Sequence, residues 1–195
     1  MKIKDAQFVK SISINDSKIF FESKKELVFV GRSNVGKSSL MNALMQKKDL
    51  VKTSSKPGKT RTANLFLVND KYHFTDLPGC GFAKMGQEHR EDLDALISWY
   101  LEEKRHTIKQ VVLICDAKIG PQQTDIDMYN YITNDLALPI IVVMSKIDKL
   151  SRSDSDKSKH HTEKTFFGSR VMWISSTKKD GIDALRKVLW EELQK

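Results

Sequence analysis

Cysteine is nearly missing from this chain: Cys80 and Cys115 are the two present among 195 residues. That pair builds neither a disulfide framework nor a zinc-ligand pattern, so a reducing, cytoplasmic setting is the expectation. Long apolar runs are missing too. None approaches the roughly 20 residues that a membrane span requires, and no membrane partner is expected. The opening Met1-Lys2-Ile3-Lys4-Asp5-Ala6 carries charge but no apolar stretch or small-residue cleavage site behind it. It does not read as a secretory signal. No internal repeat and no long linker is legible, so one domain with a full hydrophobic core is expected. Without heptads or an obvious apolar patch, a monomer is expected.

What the chain has is charge. Lysine and arginine number 33 against 25 acidic residues, a net +8. Such a surplus favours polyanions, whether RNA, ribosomes, DNA or acidic membrane surfaces, although solubility alone is a competing explanation.

Apolar, β-rich runs alternate with helical patterns, the order of an α/β fold with a mostly parallel sheet and helices on both faces. Six strands are legible: Leu27–Val30, Ala63–Val68, Tyr72–Thr75, Val111–Cys115, Ile140–Met144 and Val171–Ile174. The second and third flank Asn69-Asp70-Lys71 and should form a hairpin, making one strand antiparallel to the rest. Leu93, Leu96, Ile97, Tyr100 and Leu101 share one helical face, as do Ile182, Leu185, Val188 and Leu189, for which Asp180 is the expected N-cap. The polar stretch from Ser151 to His161 reads as a solvated helix start; its paired histidines lack spaced metal-ligand partners. Residues 1–22 form an arm ahead of a 23–195 domain, and Phe8, Val9, Ile12 and Ile14 either add an edge strand or pack on the domain.

The most informative run is Gly31-Arg32-Ser33-Asn34-Val35-Gly36-Lys37-Ser38, directly behind the strand at Leu27–Val30 and ahead of the helix-forming Ser39-Leu40-Met41-Asn42-Ala43-Leu44-Met45. Strand, Gly-x4-Gly-Lys-Ser loop and helix, in that order, make a phosphate cradle. Backbone N–H groups converge on the anion at a helix N-terminus, Lys37 reaches the β- and γ-phosphates, and Ser38 can ligate magnesium. The expectation is nucleoside triphosphate binding through Gly31 to Ser39.

Three further segments refine it. Ser145-Lys146-Ile147-Asp148 follows a strand, where Asp148 can accept hydrogen bonds from N1–H and the 2-amino group of guanine, a donor pair adenine lacks. The Lys146 stem can lie over the base. Ser145 stands where asparagine or threonine is usual. Ser175-Ser176-Thr177 follows the last strand and can offer N–H groups to the guanine O6. Asp76-Leu77-Pro78-Gly79 ends the hairpin strand, with Asp76 placed to hold magnesium through water and the Gly79 amide to sense the γ-phosphate. Between helix and hairpin runs a basic loop containing Pro57, Gly58, Lys59 and Thr60. Thr60 is the expected hydroxyl that closes on magnesium, with Thr62 in reserve. Lys37, Thr60 and Gly79 are thus the expected catalytic set, and Ser38, Thr60 and Asp76 the magnesium set.

These motifs, together with Pro57-Gly58-Lys59-Thr60, Asp76-Leu77-Pro78-Gly79-Cys80-Gly81-Phe82-Ala83 and Asp116-Ala117-Lys118-Ile119-Gly120-Pro121-Gln122-Gln123-Thr124-Asp125, occur in the order of one family. The chain resembles the EngB (YihA, YsxC) family of bacterial single-domain GTPases from about Phe29 to the C-terminal helix. The resemblance implies GTP hydrolysis to GDP coupled to assembly of the large ribosomal subunit, through that subunit or its rRNA rather than DNA, and a role in growth or division. It also suggests Asn34 as a potassium ligand, alongside its ordinary role of bracing the loop. Cys80 stands where Ras-like enzymes carry a water-orienting glutamine, so slow intrinsic hydrolysis, stimulated by a partner, is expected. The competing readings are a nucleotide-gated ribosome-binding module with negligible turnover and a P-loop kinase.

Overall fold

The computed structural model of the chain describes residues 3–16, 24–52, 62–80 and 87–195. In chain order they form β1 (Ala6–Ile12), β2 (Glu26–Gly31), α1 (Lys37–Met45), β3 (Ala63–Val68), β4 (Tyr72–Asp76), α2 (Gln87–Glu103), β5 (Ile108–Asp116), α3 (Gln123–Asn130), β6 (Ile140–Ser145), α4 (Arg152–Thr165), β7 (Val171–Trp173) and α5 (Ile182–Gln194). One sheet joins the strands in the order β1-β3-β4-β2-β5-β6-β7. All neighbours are parallel except where β3 meets β1 and β4. The fold is therefore α/β with seven strands, one more than the six legible in the apolar pattern.

The additional strand is the arm. Ala6 pairs with Val68 and Phe8 with Phe66, after which Val9 bulges out and Lys10 pairs with Leu65. A bulge inserts one residue and turns the following side chains to the opposite face. Ala6 consequently joins the core on one side of the sheet and Ile12 the core on the other.

The central strands are apolar throughout because both their faces are covered. Leu27, Phe29, Val112, Ile114, Ile141 and Val143 pack with Leu40, Met41 and Leu44 of α1 and Leu185 and Leu189 of α5. Val28, Val30, Leu113, Cys115, Val142 and Met144 pack on the other face with Ile97, Tyr100 and Leu101 of α2. The β3–β4 hairpin turns at Asn69 and Asp70, both at positive φ (50° and 53°), with the Lys71 N–H donating to the Val68 carbonyl. Asn and Asp tolerate that left-handed geometry better than most residues.

Two helix starts differ in kind. Ser151 caps α4 by accepting from the Asp154 N–H at 3.2 Å, and His160 and His161 lie exposed on that helix. For α5 the N-cap is Gly181 at φ 71°, not Asp180. A Cβ at Gly181 would lie 2.3 Å from the Trp173 carbonyl, so only glycine lets the chain turn there. Asp180 instead accepts the Ser175 N–H through its backbone carbonyl.

The parallel strands β2, β4, β5 and β6 end at Gly31, Asp76, Asp116 and Ser145. Ligands of open α/β sheets sit beyond this carboxyl edge. At the opposite end of β2, Glu26 is fully buried and accepts from the hydroxyls of Thr75 and Tyr100, the latter at 2.5 Å. The Glu26 carboxylate thus ties α2 to β4 one residue ahead of Asp76.

Burial pushes the Glu26 carboxyl above the usual glutamate range, opposed by its hydroxyl donors and by Lys104. A carboxyl raised in the folded state contributes stability that is full below its unfolded pKa and lost as pH rises through the folded one. The unfolding free energy of wild type minus that of Glu26→Gln should therefore be largest in acid and shrink as pH rises past the glutamate range. Urea denaturation of both proteins across a pH series measures it; a difference independent of pH would mean that Glu26 is folded with an ordinary pKa.

Candidate functional site

Glycine is required twice in the loop after β2. A Cβ on Gly31 would lie 2.5 Å from the Ile114 carbonyl of the neighbouring strand, which is backbone and cannot yield. Gly36, at φ 98°, is the N-cap of α1. It turns the chain so that α1 begins at Lys37 with its N-terminal N–H groups facing the loop. Asn34 at φ 63° completes the reversal, with its side chain exposed.

Lys37 reaches across the loop and ion-pairs with Asp76 at the end of β4. Both are nearly buried, with 11% and 6% of their side-chain surface exposed. Ser38, in the first turn of α1, is half-buried. The loop and the β4 end are therefore one assembly. The Leu77 N–H donates to the Phe29 carbonyl and the Cys80 N–H to the Gly31 carbonyl, laying Leu77-Pro78-Gly79-Cys80 along the loop. Gly79 lies so close that a Cβ would meet Ser33 Oγ at 2.7 Å and Ser33 N at 3.0 Å. Cys80 is buried rather than exposed, and burial, with Asp125 adding to it, pushes its thiol up to about 12. It is a protonated packing residue at neutral pH.

The second side of the loop is held by β6. Ser145 Oγ lies 2.5 Å from the Val35 carbonyl and 3.0 Å from the Cys115 carbonyl. Lys146, at φ 61°, places Nζ 2.5 Å from the Asn34 carbonyl and 2.6 Å from Asp116 Oδ2. Its Cε would be 3.9 Å from a Cβ at Gly36, so the stem runs beside the loop. Asp148 stands in the short turn Ile147–Lys149 that follows. Ser175 donates to Asp148 Oδ1 at 2.5 Å and accepts the Lys178 N–H at 3.0 Å. The Ser175 hydroxyl, more than any other group, holds the Asp148 carboxyl below the ordinary aspartate range. Asp148 is thus an anchored, ionised acceptor. Ser176 is half-buried and Thr177 exposed in the adjoining turn.

Two acids of this site were visible in sequence as members of the Asp116–Asp125 segment, without an assignable partner. Asp116 pairs with Lys146. Asp125, fully buried at the start of α3, accepts from Arg32 Nε on both oxygens, at 3.1 and 3.0 Å, and from the Gln122 N–H at 2.9 Å. Burial raises its carboxyl, while the Gln122 N–H and Arg32 oppose that. A P-loop with a basic second residue and a buried-segment acid downstream was the available signal. Pro57, Gly58, Lys59 and Thr60 lie outside the described residues, as does Phe82. Of the expected site residues that are described, Gly31 to Ser39, Asp76 to Gly79 and Ser145 to Asp148 gather at the carboxyl edge of the sheet, with Ser175 to Thr177 beside them.

Comparison with known proteins places this geometry. The family described as "50S ribosome-binding GTPase" matches residues 26–146. A protein named "Probable GTP-binding protein EngB" from Clostridium kluyveri is 39% identical over 192 residues, 97% of this chain and 96% of that one. Its namesake from Natranaerobius thermophilus is 44% identical over 150 residues, covering 77% and 76% of the two chains. Among solved structures, one titled "Crystal structure of a probable GTP-binding protein engB" superimposes with a TM-score of 0.73 at 26% identity, over 87% of this chain and 98% of that chain. Matched over more than half of its length by this family and nearly end to end by its relatives, the chain belongs to the EngB family of GTP-binding proteins and is a GTPase.

Proposed function

We propose that this GTPase is a guanine-specific switch that acts in assembly of the large ribosomal subunit, in the cytoplasm, and so supports growth or division. The observation that carries the reading is Asp148, ionised and pinned by Ser175, in the turn after a β6 end that also grips the phosphate loop. Its carboxylate receives the guanine N1–H and 2-amino group, with Lys146 beside the base and the Ser176 and Thr177 amides near O6. The name of the matching family, 50S ribosome-binding GTPase, supports the large subunit or its rRNA as partner.

Lys37 and the amides from Ser33 to Ser39 neutralise the phosphates, and water attacks the γ-phosphorus in line, with positioning and electrostatics supplying most of the acceleration. The donor set fits Mg2+. Ser38, in the first turn of α1, and Asp76, at the end of β4 and ion-paired to the neighbouring Lys37, offer hard oxygens, and the described residues hold no cluster of three His, Cys, Asp or Glu that would form an all-protein cage. An ion held by few protein oxygens, with Ser38 direct and Asp76 acting through water, and completed by phosphate oxygens and water, is the usual Mg2+ arrangement. Thr60 is the third proposed ligand, Asn34 the proposed contact for K+. When bound, Mg2+ neutralises charge on the β- and γ-phosphates. The Gly79 N–H reads the γ-phosphate, and its close packing on Ser33 passes that information between the two loops. Cys80, buried and protonated, orients no water, which favours slow intrinsic turnover raised by the ribosomal partner. It equally favours the alternative of a binding module with negligible turnover; turnover measured with and without large subunits separates the two.

Asp148→Asn should weaken GTP and GDP binding by about 100-fold or more, since two charge-assisted hydrogen bonds at about 1.5–3 kcal/mol each are disturbed. It should also shift preference toward xanthosine nucleotides, whose 2-oxo group pairs with the new amide. Titration of the four nucleotides in Mg2+ reads both effects; unchanged guanine affinity would remove Asp148 from the base. Gly79→Ala must push the Leu77–Cys80 segment away from Ser33. GTP affinity and turnover should fall about tenfold with GDP affinity nearly unchanged, measured by paired titrations; equal losses for both nucleotides would exclude γ-phosphate sensing at Gly79.

A further inference from the structure

The surplus positive charge is not spread over the chain. Residues 1–71 hold 15 basic and 6 acidic residues, a net +9, whereas residues 72–195 hold 18 basic and 19 acidic, a net −1. The strand order brings part of this surplus to one edge of the sheet. β1 and β3 lie at one edge of the sheet, while β6 and β7 lie at the other. Two contacts draw the basic segments of the first edge together. Asn69 Oδ1 accepts the N–H groups of Lys4 and Asp5 at 2.7 and 3.2 Å, bringing the hairpin turn with Lys71 against the start of β1. Lys47, just past α1, ion-pairs with Asp5 at 3.3 Å, and Lys48 follows it exposed. Away from the phosphate loop, the described part of this stretch carries eight lysines against four surface acids, Asp5, Asp16, Asp49 and Asp70.

The same edge exposes apolar surface. β1 is the terminal strand of the sheet, and Phe8 and Val9 at its bulge are 50% and 38% exposed. Phe8 rests edge-on against Phe66, with ring centroids 5.7 Å apart, and is held upright by it. A half-exposed aromatic ring on a strand that also carries Lys10 suits an unpaired nucleotide base stacked over a tracked phosphate backbone.

We propose that the β1–β3 edge, with Phe8 and the lysines Lys4, Lys48 and Lys10 (the last ion-paired to Asp16 at 3.4 Å), is the surface that docks single-stranded or looped RNA. The proposal rests on the ribosomal reading above and names the face that does the docking. Phosphate contacts at the lysines supply a salt-dependent affinity, and Phe8 supplies a salt-independent part by stacking.

The test uses the full chain loaded with a non-hydrolysable GTP analogue and titrated with protein-free rRNA extracted from large ribosomal subunits, and with the intact subunits. Two charge-matched variants are compared: Lys4→Glu/Lys10→Glu/Lys48→Glu on the proposed face, and Lys157→Glu/Lys159→Glu/Lys164→Glu on α4. The first should bind rRNA at least about tenfold more weakly, with the slope of log affinity against log salt shallower by about 2 to 3, and the second nearly as wild type. Phe8→Ala should lose about tenfold with its slope unchanged. Retained nucleotide affinity shows that each variant is folded. Equal losses in the two triple variants, or a greater loss in the α4 variant, would overturn the choice of face. Binding to subunits but not to protein-free rRNA would overturn RNA as the occupant. A wild type that binds neither would instead bring down the ribosomal reading itself.

Discussion

The Lys146 ammonium is the contact on which the site depends. It bridges the Asn34 carbonyl, in the middle of the phosphate loop, and the Asp116 carboxylate at the end of β5. A loop rich in positive φ has few stabilising contacts of its own, so its shape must be imposed from outside. Lys146 imposes it from the side of the base, aided by Ser145 Oγ on the next carbonyl. The residue that starts the turn carrying Asp148 is therefore also a brace for the phosphate loop, and in the proposed site one side chain registers the base half against the phosphate half.

Arg32 does the equivalent on the other flank. Its guanidinium is held by the buried Asp125 carboxylate, and removing one partner of such a pair typically costs about 3–5 kcal/mol because the other charge is stranded. Since the loop segment from Leu77 to Cys80 hydrogen-bonds along Phe29 and Gly31, movement there is felt by the P-loop and by α3 together. Glu26 extends the connection, tying α2 to β4 next to Asp76.

How much of this could be read from the chain follows from the range of each signal. The P-loop, the hairpin and the central strands were legible because their determinants are local: glycine spacing, Asn69-Asp70, and apolar runs covered on both faces. The fate of the arm was left open between an edge strand and simple packing, because the bulge at Val9 breaks the two-residue alternation that identifies a strand. The cap of α5 was misplaced by one residue, since what demands Gly181 is the Trp173 carbonyl, not anything adjacent in sequence. Asp116 and Asp125 were seen without roles for the same reason. Their partners lie 30 and 93 residues away and are brought to them only by the topology.

The most direct measurement of the bracing claim is a double-mutant cycle on GDP affinity with Asp116→Asn, Lys146→Met and the pair. Asp116 need not touch the nucleotide for the account to hold; it acts through Lys146. The account predicts that Asp116→Asn weakens GDP binding in the wild-type background and has little further effect once Lys146 is gone, a coupling of about 1 kcal/mol or more. Additive losses, or no loss from Asp116→Asn alone, would contradict it and leave the phosphate loop holding its own shape.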